Sequence, residues 1–409
     1  MDSRPLISLA DAKDALRGLF SPLPAVERAL GECSGLVTTE AVVASEPVPP
    51  FANSAMDGYA LRAAETAALP ARLAVVGTLP AGSTSGPAVG AGQAARIMTG
   101  APMPPGADSV AMLEVTRDLE DGRVEVLTSV RPGENVRMAG EDVGAGDTVF
   151  EAGTELSPAH LGVLASLGIE TVRVHRRPKV GVLSSGDELV AGRSHPLRPG
   201  AIRDANRPAL LALVEEAGCE PVDLGIVPDD EASLRRAMSE GAELCDALLT
   251  SAGVSLGDFD HVRRVLLELS GGTMTWLEVA VKPAKPLAFG AVGSTPVVGL
   301  PGNPVAALVS FELFARPGLR TMLGSRHPER SRVTAVAGHD MPRRPDGKLH
   351  LVRVVLSPGD SAALVARSSG GQGSHQLAAM ARANALALLP DGPGARAGED
   401  LEVMLLRPW

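Results

Sequence analysis

KVGVLSSGDE (residues 179–188), RPALLALVEEAG (207–218) and EPVDLGIVPDD (220–230) decide the fold of this chain. The first is a short apolar run that breaks at Gly186, which reads as a strand entering a glycine turn. In the second, Leu210, Leu213, Val214 and Ala217 fall at i, i+3, i+4 and i+7, and Gly218 follows as a C-cap. The third is a second strand and its loop. The alternation continues through EASLRRAMSEGAELC (231–245, helix), DALLTSAGVS (246–255, strand and loop) and FDHVRRVLLELSGG (259–272, helix). TPVVGLPGNP (295–304) is a further strand and turn, and VAALVSFELFA (305–315) a further helix. Strands alternating with helices over this length predict a doubly wound, mostly parallel sheet.

On both sides of this core the pattern changes. SRVTAVAG, KLHLVRVVLS, ALVARS, ANALALLP and EDLEVMLL, within the last 80 or so residues, predict a small β-barrel or sandwich. Toward the N-terminus, RLAVVG, AARIM and SVAML are strand-like runs broken by Gly and Pro, which predicts a small β domain. Residues 8 to 44 read as helical, with Ser8 as cap, and Ser157-Pro158 opens another helix that Gly168 ends.

Composition narrows the function. With 38 Lys and Arg against 48 Asp and Glu, the net charge is −10, the wrong sign for a surface that neutralises phosphate backbones. Aromatic residues are 2% of the chain, too few for base stacking. No apolar run reaches the roughly 20 residues that span a bilayer, and the first 20 residues lack the apolar core of a signal peptide. Neither nucleic acid nor membrane is an expected partner, and the cytoplasm is the expected location. Cys33, Cys219 and Cys245 stand far apart in helix or strand segments and read as buried apolar groups.

In an open α/β sheet, ligands sit beyond the carboxyl ends of the strands. Those ends carry Ser184, Ser185, Gly186, Asp187 and Glu188; then Asp229 and Asp230; then Ser251, Gly253 and Ser255, with Asp258 and Asp260 behind; and finally Gly302 and Asn303. Small residues let backbone N–H groups approach an anion, and carboxylates beside that anion call for a hard cation such as Mg²⁺. Lys282 and Lys285, in AVKPAKPLAFG, add two ammonium groups. There is no G-x-S-x-G elbow, H-E-x-x-H pair or G-x-x-x-x-G-K-[ST] loop. The residues alone define a Mg²⁺-dependent enzyme acting on a phosphorylated small molecule.

Longer strings carry a resemblance. PFANSAMDGYALR (50–62), RIMTGAPMPPGAD (96–108) and ENVRMAGEDVGAGD (134–147) resemble signatures of the molybdopterin molybdenumtransferases, the MoeA and gephyrin E-domain family. SSGDEL, VPDD, SAGVSLGDFDH, VKPAKPLAFG, LPGNPVA and QGSH follow in the family's order to residue 375. The resemblance implies four parts. Residues 1–45 and 142–176 form a helical linking segment and 46–141 a β-rich domain; residues 177–325 form the molybdopterin-binding α/β domain and 326–409 a β-barrel. It implies a homodimer with active-site clefts between subunits, a molybdopterin adenylyltransferase upstream and recipient molybdoenzymes downstream. The reaction implied is Mg²⁺-dependent insertion of molybdate into adenylylated molybdopterin, with release of AMP.

Carried over by position, the resemblance gives Asp57, Thr99, Asp142, Glu188, Asp229 (or Asp230) and Asp260 as catalytic residues. Glu188, Asp229 and Asp260 stand in the metal neighbourhood, while Asp57, Thr99 and Asp142 reach in from the partner subunit. Lys282 and Lys285 bind phosphate or oxyanion, and Arg353 and Ser374 join them from the C-terminal domain. The chain departs from the family pattern at Ala252 and Ala284, where Gly is usual, and at His261, where Tyr is often found. Alternative readings are a divergent paralogue that inserts tungstate or only binds molybdopterin, an adenylyltransferase sharing the α/β unit, and a scaffold like the receptor-anchoring gephyrin E-domain.

Overall fold

The computed structural model describes residues 6–83, 86–192, 197–251, 254, 261–359 and 363–407. The chain opens with helix α1 (Leu9–Leu16), capped as expected by Ser8, whose hydroxyl accepts from the Asp11 N–H. The helix goes no further. Gly18 adopts φ +92° and prolines follow at 22 and 24, so the remainder of the 8–44 stretch folds as strands β1 (Ala25–Ala29) and β2 (Val42–Val43), which corrects the helical reading of the linking segment.

Next come β3 (Asn53–Ser54), β4 (Gly58–Leu61), β5 (Ala71–Leu79), β6 (Gln93–Ile97), β7 (Ser109–Met112), β8 (Thr116–Asp118), β9 (Arg123–Val126) and β10 (Val136–Arg137). Six of them form one sheet in the order β7-β4-β6-β5-β9-β8, and β3 pairs with β10. The sheet buries both faces, with Leu61, Leu73 and Val124 in one core and Leu79, Ile97 and Val110 in the other. The chain then returns through β11 (Thr148–Phe150), helix α2 (Pro158–Ser166) and β12 (Thr171–His175). β11 pairs with β2 and β12 with β1, so two distant stretches of chain build one linking unit around Leu36, Leu156, Leu164 and Val174. Among the described residues, no hydrogen bond or ion pair joins 46–147 to 177–407.

The central domain contains β13 (Lys179–Ser185), the short pair β14 (Leu189–Val190) and β15 (Ile202–Arg203), α3 (Asn206–Glu216), β16 (Glu220–Val227), α4 (Glu231–Leu244), β17 (Ala247–Ser251) and α5 (His261–Leu269). It continues with β18 (Thr275–Glu278), β19 (Val281–Lys282), β20 (Pro286–Val292), β21 (Thr295–Leu300), α6 (Pro304–Ser310) and α7 (Arg316–Met322). The sheet order is β16-β13-β17-β21-β20-β18; the first four strands are parallel, and the last two antiparallel. α3 and α6 pack on one face, against Val182, Leu249 and Leu300, and α4 and α5 on the other, against Leu183, Leu248 and Val297. β17 and β21 are buried along their whole length, which is why they read as continuous apolar runs rather than as alternation.

The last part comprises β22 (Arg332–Ala337), β23 (Met341–Pro342), β24 (Leu349–Pro358), β25 (Leu364–Ser368), α8 (Leu377–Arg382), β26 (Ala385–Leu389), β27 (Gly394–Ala395) and β28 (Asp400–Leu405). Five strands close on themselves in the order β24-β25-β22-β28-β26-β24, so the C-terminal barrel is a closed one. Its interior is lined by Ala335, Ala337, Ala366, Ala385 and Ala387 among larger aliphatics, small side chains that suit so narrow a barrel. β19, a strand of the central domain, pairs parallel with β24, and this pairing stitches the barrel onto the α/β domain.

Candidate functional site

Because β16 and β17 flank β13 on opposite sides, the order of the parallel strands reverses at β13, and the crevice beyond its carboxyl end is where such sheets hold ligands. Ser184 and Ser185 end β13, and the turn passes through Gly186 at φ +150°, with the Glu188 carboxylate folded back against it. A Cβ on Gly186 would lie 2.6 Å from a Glu188 oxygen, so glycine is required for that fold-back. The Ser185 hydroxyl donates to Asp229 Oδ1 at 3.4 Å, and the Asp229 N–H donates to Asp187 Oδ1 at 3.2 Å. Asp187, Glu188 and Asp229 therefore share one strand end. Asp230 does different work: its carboxylate caps α4 by accepting from the Ser233 N–H, and that bond lowers its pKa. Gly253, Ser255 and Asp260, with Ala252, lie outside the described residues.

A brace beneath this edge has no counterpart in the sequence reading. Buried Asn206, the first residue of α3, donates from Nδ2 to Ser251 Oγ at 2.6 Å and to the Gly302 carbonyl at 2.7 Å. Asp204 accepts from the Ser184 hydroxyl at 3.2 Å and from Arg207, whose guanidinium also reaches Asp223 on β16. Residues 204–207 thus tie together β13, β16 and β17 and the turn after β21. The signal for them was the polar run Asp204-Ala205-Asn206-Arg207 at a helix start facing strand ends.

Beyond β21, a cavity of about 640 Å³ opens between the α/β domain and the barrel, lined by Lys282, Lys285, Asn303, His350, Gly373 and Ser374 among others. Lys285 pairs with Glu278 at 3.0 Å, and no hydrogen bond or ion pair holds the exposed Lys282 ammonium among the described residues. Ala284 between them adopts φ +82° with its methyl in the core, an unfavourable conformation for any residue but glycine. Ser374 is held by its carbonyl, which accepts from Val305 N–H in the first turn of α6.

Arg353 is fully buried and does not line this cavity. Its Nη2 donates to the Gly371 and Gly373 carbonyls at 2.8 and 3.2 Å, Nε and Nη1 have no partner among the described residues, and burial lowers its pKa. Because C=O and N–H point oppositely across a trans peptide, turning those two carbonyls inward faces the Gln372 and Ser374 N–H groups the other way.

The three N-terminal signature strings converge on a second cluster. β3 pairs with β10, bringing Asn53 opposite Arg137 and Ser54 opposite Val136, while β4 lies between β6 and β7. The exposed Asp57 accepts from the Thr99 backbone N–H at 2.7 Å and from its hydroxyl at 2.8 Å. Those two bonds, the backbone one foremost, hold its carboxyl below the usual range. Asp142 sits beyond the paired strands β3 and β10, its N–H donating to the Val48 carbonyl. The structure thus brings Asp57 to Thr99, and Asp187 to Asp229 with Glu188 on the same turn, in two separate places.

The donor set at β13 and β16 is made of carboxylate and hydroxyl oxygens, which suits a hard cation. Among the described residues there is no group of three or more His, Cys, Asp or Glu side chains placed to hold a metal by themselves. Glu188 and Asp229 nevertheless fit Mg²⁺, which takes one or two carboxylates and completes its shell with phosphate oxygens and water.

Fold and site define a doubly wound α/β protein with an acidic strand-end crevice, enlarged by a β-rich N-terminal part and a C-terminal barrel. Comparison with known families bears this out. Residues 7–168 match the MoeA N-terminal region (domain I and II), 181–321 a probable molybdopterin binding domain, and 334–406 the MoeA C-terminal region (domain IV). The chain is 37% identical to the molybdopterin molybdenumtransferase of Haemophilus influenzae, over 91% of this chain and 92% of that one. It is 39% identical to molybdopterin molybdenumtransferase 2 of Mycobacterium tuberculosis H37Rv, over 91% and 93%. The crystal structure of the molybdopterin biosynthesis MoeA protein from Pyrococcus horikoshii OT3 superposes with a TM-score of 0.82 at 28% identity, covering 98% of this chain and all of that one. The chain belongs to the molybdopterin molybdenumtransferase (MoeA) family, transferases of molybdenum-cofactor biosynthesis.

Proposed function

We propose that the chain inserts molybdate into adenylylated molybdopterin, in the cytoplasm, in a Mg²⁺-dependent reaction that releases AMP. The observation that carries this reading is the continuity of one anion-binding surface. The strand-end turns at Ser184–Gly186 and Ser251 meet the turn at Gly302–Asn303 through Asp204 and Asn206, and that turn runs into the cavity holding Lys282, Lys285 and Ser374. A diphosphate lies along the turns, and the oxyanion end sits by the lysines. Glu188 and Asp229, with Asp260, hold Mg²⁺, which when bound neutralises the diphosphate and stabilises charge on the departing phosphate. Ser184, Ser185 and Ser251 fix the strand-end turns through their hydroxyls, and the backbone groups of those turns orient the phosphates. The lysines offset charge on the oxyanion, so no protein nucleophile is needed.

Asp57, Thr99 and Asp142 complete the site from a second copy of the chain. The 46–147 unit makes no hydrogen bond or ion pair to the α/β domain of its own chain among the described residues, which leaves that cluster available to a partner. A molybdopterin adenylyltransferase supplies the substrate, and molybdoenzymes take the product. The test is AMP release from adenylylated molybdopterin by purified protein with Mg²⁺, with and without molybdate, and with tungstate in its place. Molybdate-dependent AMP release together with recovery of active cofactor is expected. Bound ligand without AMP under every condition refutes the catalytic reading.

A further inference from the structure

The barrel presents to the cavity a group of side chains that the proposed reaction does not use. In the parallel pairing of β19 with β24, His350 stands directly opposite Lys282, and both residues line the cavity. Residues paired across two strands carry their side chains on the same face of the sheet, within a few ångströms of each other. His350 Nε2 lies 3.1 Å from both carboxylate oxygens of Asp346. Asp346 also takes Lys348 Nζ at 3.3 Å and Arg343 Nη2 at 2.7 Å, and Arg343 reaches Asp391 at 2.9 Å. Across the cavity stands Lys285, paired with Glu278.

We propose that His350 is a proton-linked anion-binding residue: its protonated imidazole, braced by Asp346, stands beside Lys282 as an additional cation, so binding a doubly charged oxyanion takes up a proton. This rests on the reading of the cavity as an oxyanion site. With no anion bound, His350 titrates below its usual value: burial is the largest cause, Asp346 opposes it, and Arg343 and Lys282 add to the lowering. An anion between His350 and Lys282 reverses the repulsive part of that balance, so affinity rises as pH falls. One extra unit charge about 6 Å from a dianion, at the dielectric of an open cavity, corresponds to roughly five- to tenfold in affinity.

The experiment is calorimetric titration of the full-length protein with sulfate, which stays doubly charged throughout, and with molybdate, between pH 8.0 and pH 5.5. The parent protein is expected to bind about five- to tenfold more tightly at pH 5.5, and His350→Gln to lose that slope. Asp346→Asn is expected to move the midpoint to lower pH, because the carboxylate that favours the imidazolium has gone. In parallel, the His350 imidazole resonance of the parent, followed by NMR, should titrate at higher pH with sulfate present. A slope that survives His350→Gln, or a His350 titration that sulfate leaves unmoved, overturns the proposal and leaves the cavity reading intact. A folded parent protein that binds neither anion at any pH overturns the cavity reading itself.

Discussion

Replacing Asn206 by Asp changes one side-chain nitrogen to oxygen and tests whether the brace beneath the strand ends is real. Asn206 Nδ2 makes both of its bonds, to Ser251 Oγ and to the Gly302 carbonyl, while Oδ1 has no partner among the described residues. After Asn206→Asp, the Ser251 hydroxyl can still donate to the new oxygen, but the Gly302 carbonyl faces an acceptor. The side chain is 93% buried, given a relative exposure of 7%, so the carboxylate also loses solvation there. Losing one such bond costs about 1–3 kcal/mol, and burial raises a carboxyl pKa by several units at most. If the folded pKa rises by about 2 units, the charged form is disfavoured by roughly 2.7 kcal/mol. The sign follows from linkage: a pKa raised in the folded state leaves stability intact below the unfolded value, near 4, and removes it as pH climbs through the folded value, near 6. Guanidinium unfolding followed by tryptophan fluorescence, with Trp276 in β18 of the same sheet, should therefore place Asn206→Asp about 3 kcal/mol below the parent at pH 8 and much closer to it at pH 4.5. A variant within about 0.5 kcal/mol of the parent at pH 8 would show that the amide does not hold these turns together.

Three further outcomes follow from the packing. Glu312, buried in the turn between α6 and α7, accepts from Arg330 at 2.8 and 2.9 Å and lies 3.6 Å from Arg316, so Glu312→Gln removes the carboxylate beside Arg316 and leaves Arg330 with Glu216 alone; its unfolding midpoint should fall by the equivalent of about 3 kcal/mol. Thr99→Val removes the hydroxyl bond to the exposed Asp57 and should lower kcat by about tenfold or more while the melting temperature stays within a degree or two of the parent. Burial pushes the Cys219 thiol up to about 12 and Cys245 up to about 11, so a thiol reagent at pH 8 should label neither in the folded protein, and all three cysteines only in denaturant.

What the sequence disclosed, and what it withheld, follows from how each element earns its structure. Strands β13, β17 and β21 and helices α3 and α4 were legible because burial on both sheet faces leaves unbroken apolar runs, and one-sided burial leaves a 3.6-residue period. β18 and β20, the two antiparallel strands that complete the sheet, escaped notice because β18 is only four residues long and the lysines and prolines of AVKPAKPLAFG mask the start of β20. The stretch from 17 to 44 was misread because its strands are short and pair with residues more than a hundred positions away, a relation no local period records. At the site, Glu188 and Asp229 announced themselves as acids at strand ends. Asn206 did not, since a carboxamide at a helix start looks like any other until Ser251 and Gly302 stand on either side of it. Arg353 was expected to face ligand, and its position beneath the Gly371–Gly373 carbonyls depends on barrel closure between β24 and β26, which no sequence spacing encodes.

The pairing of β2 with β11 places the exit from the linking unit beside the return to it, and the Ala44 N–H donates to the Asp147 carbonyl at 2.9 Å. The roughly one hundred residues between those two points are therefore a loop-out whose ends nearly touch. A body suspended from two adjacent chain crossings can swing about that single pivot without breaking any contact inside itself or inside the rest of the chain. Swinging would carry Asp57, Thr99 and Asp142 together. Rotation at the pivot would then change the spacing between that set and whatever faces it while leaving the bonds between Asp57 and Thr99 in place.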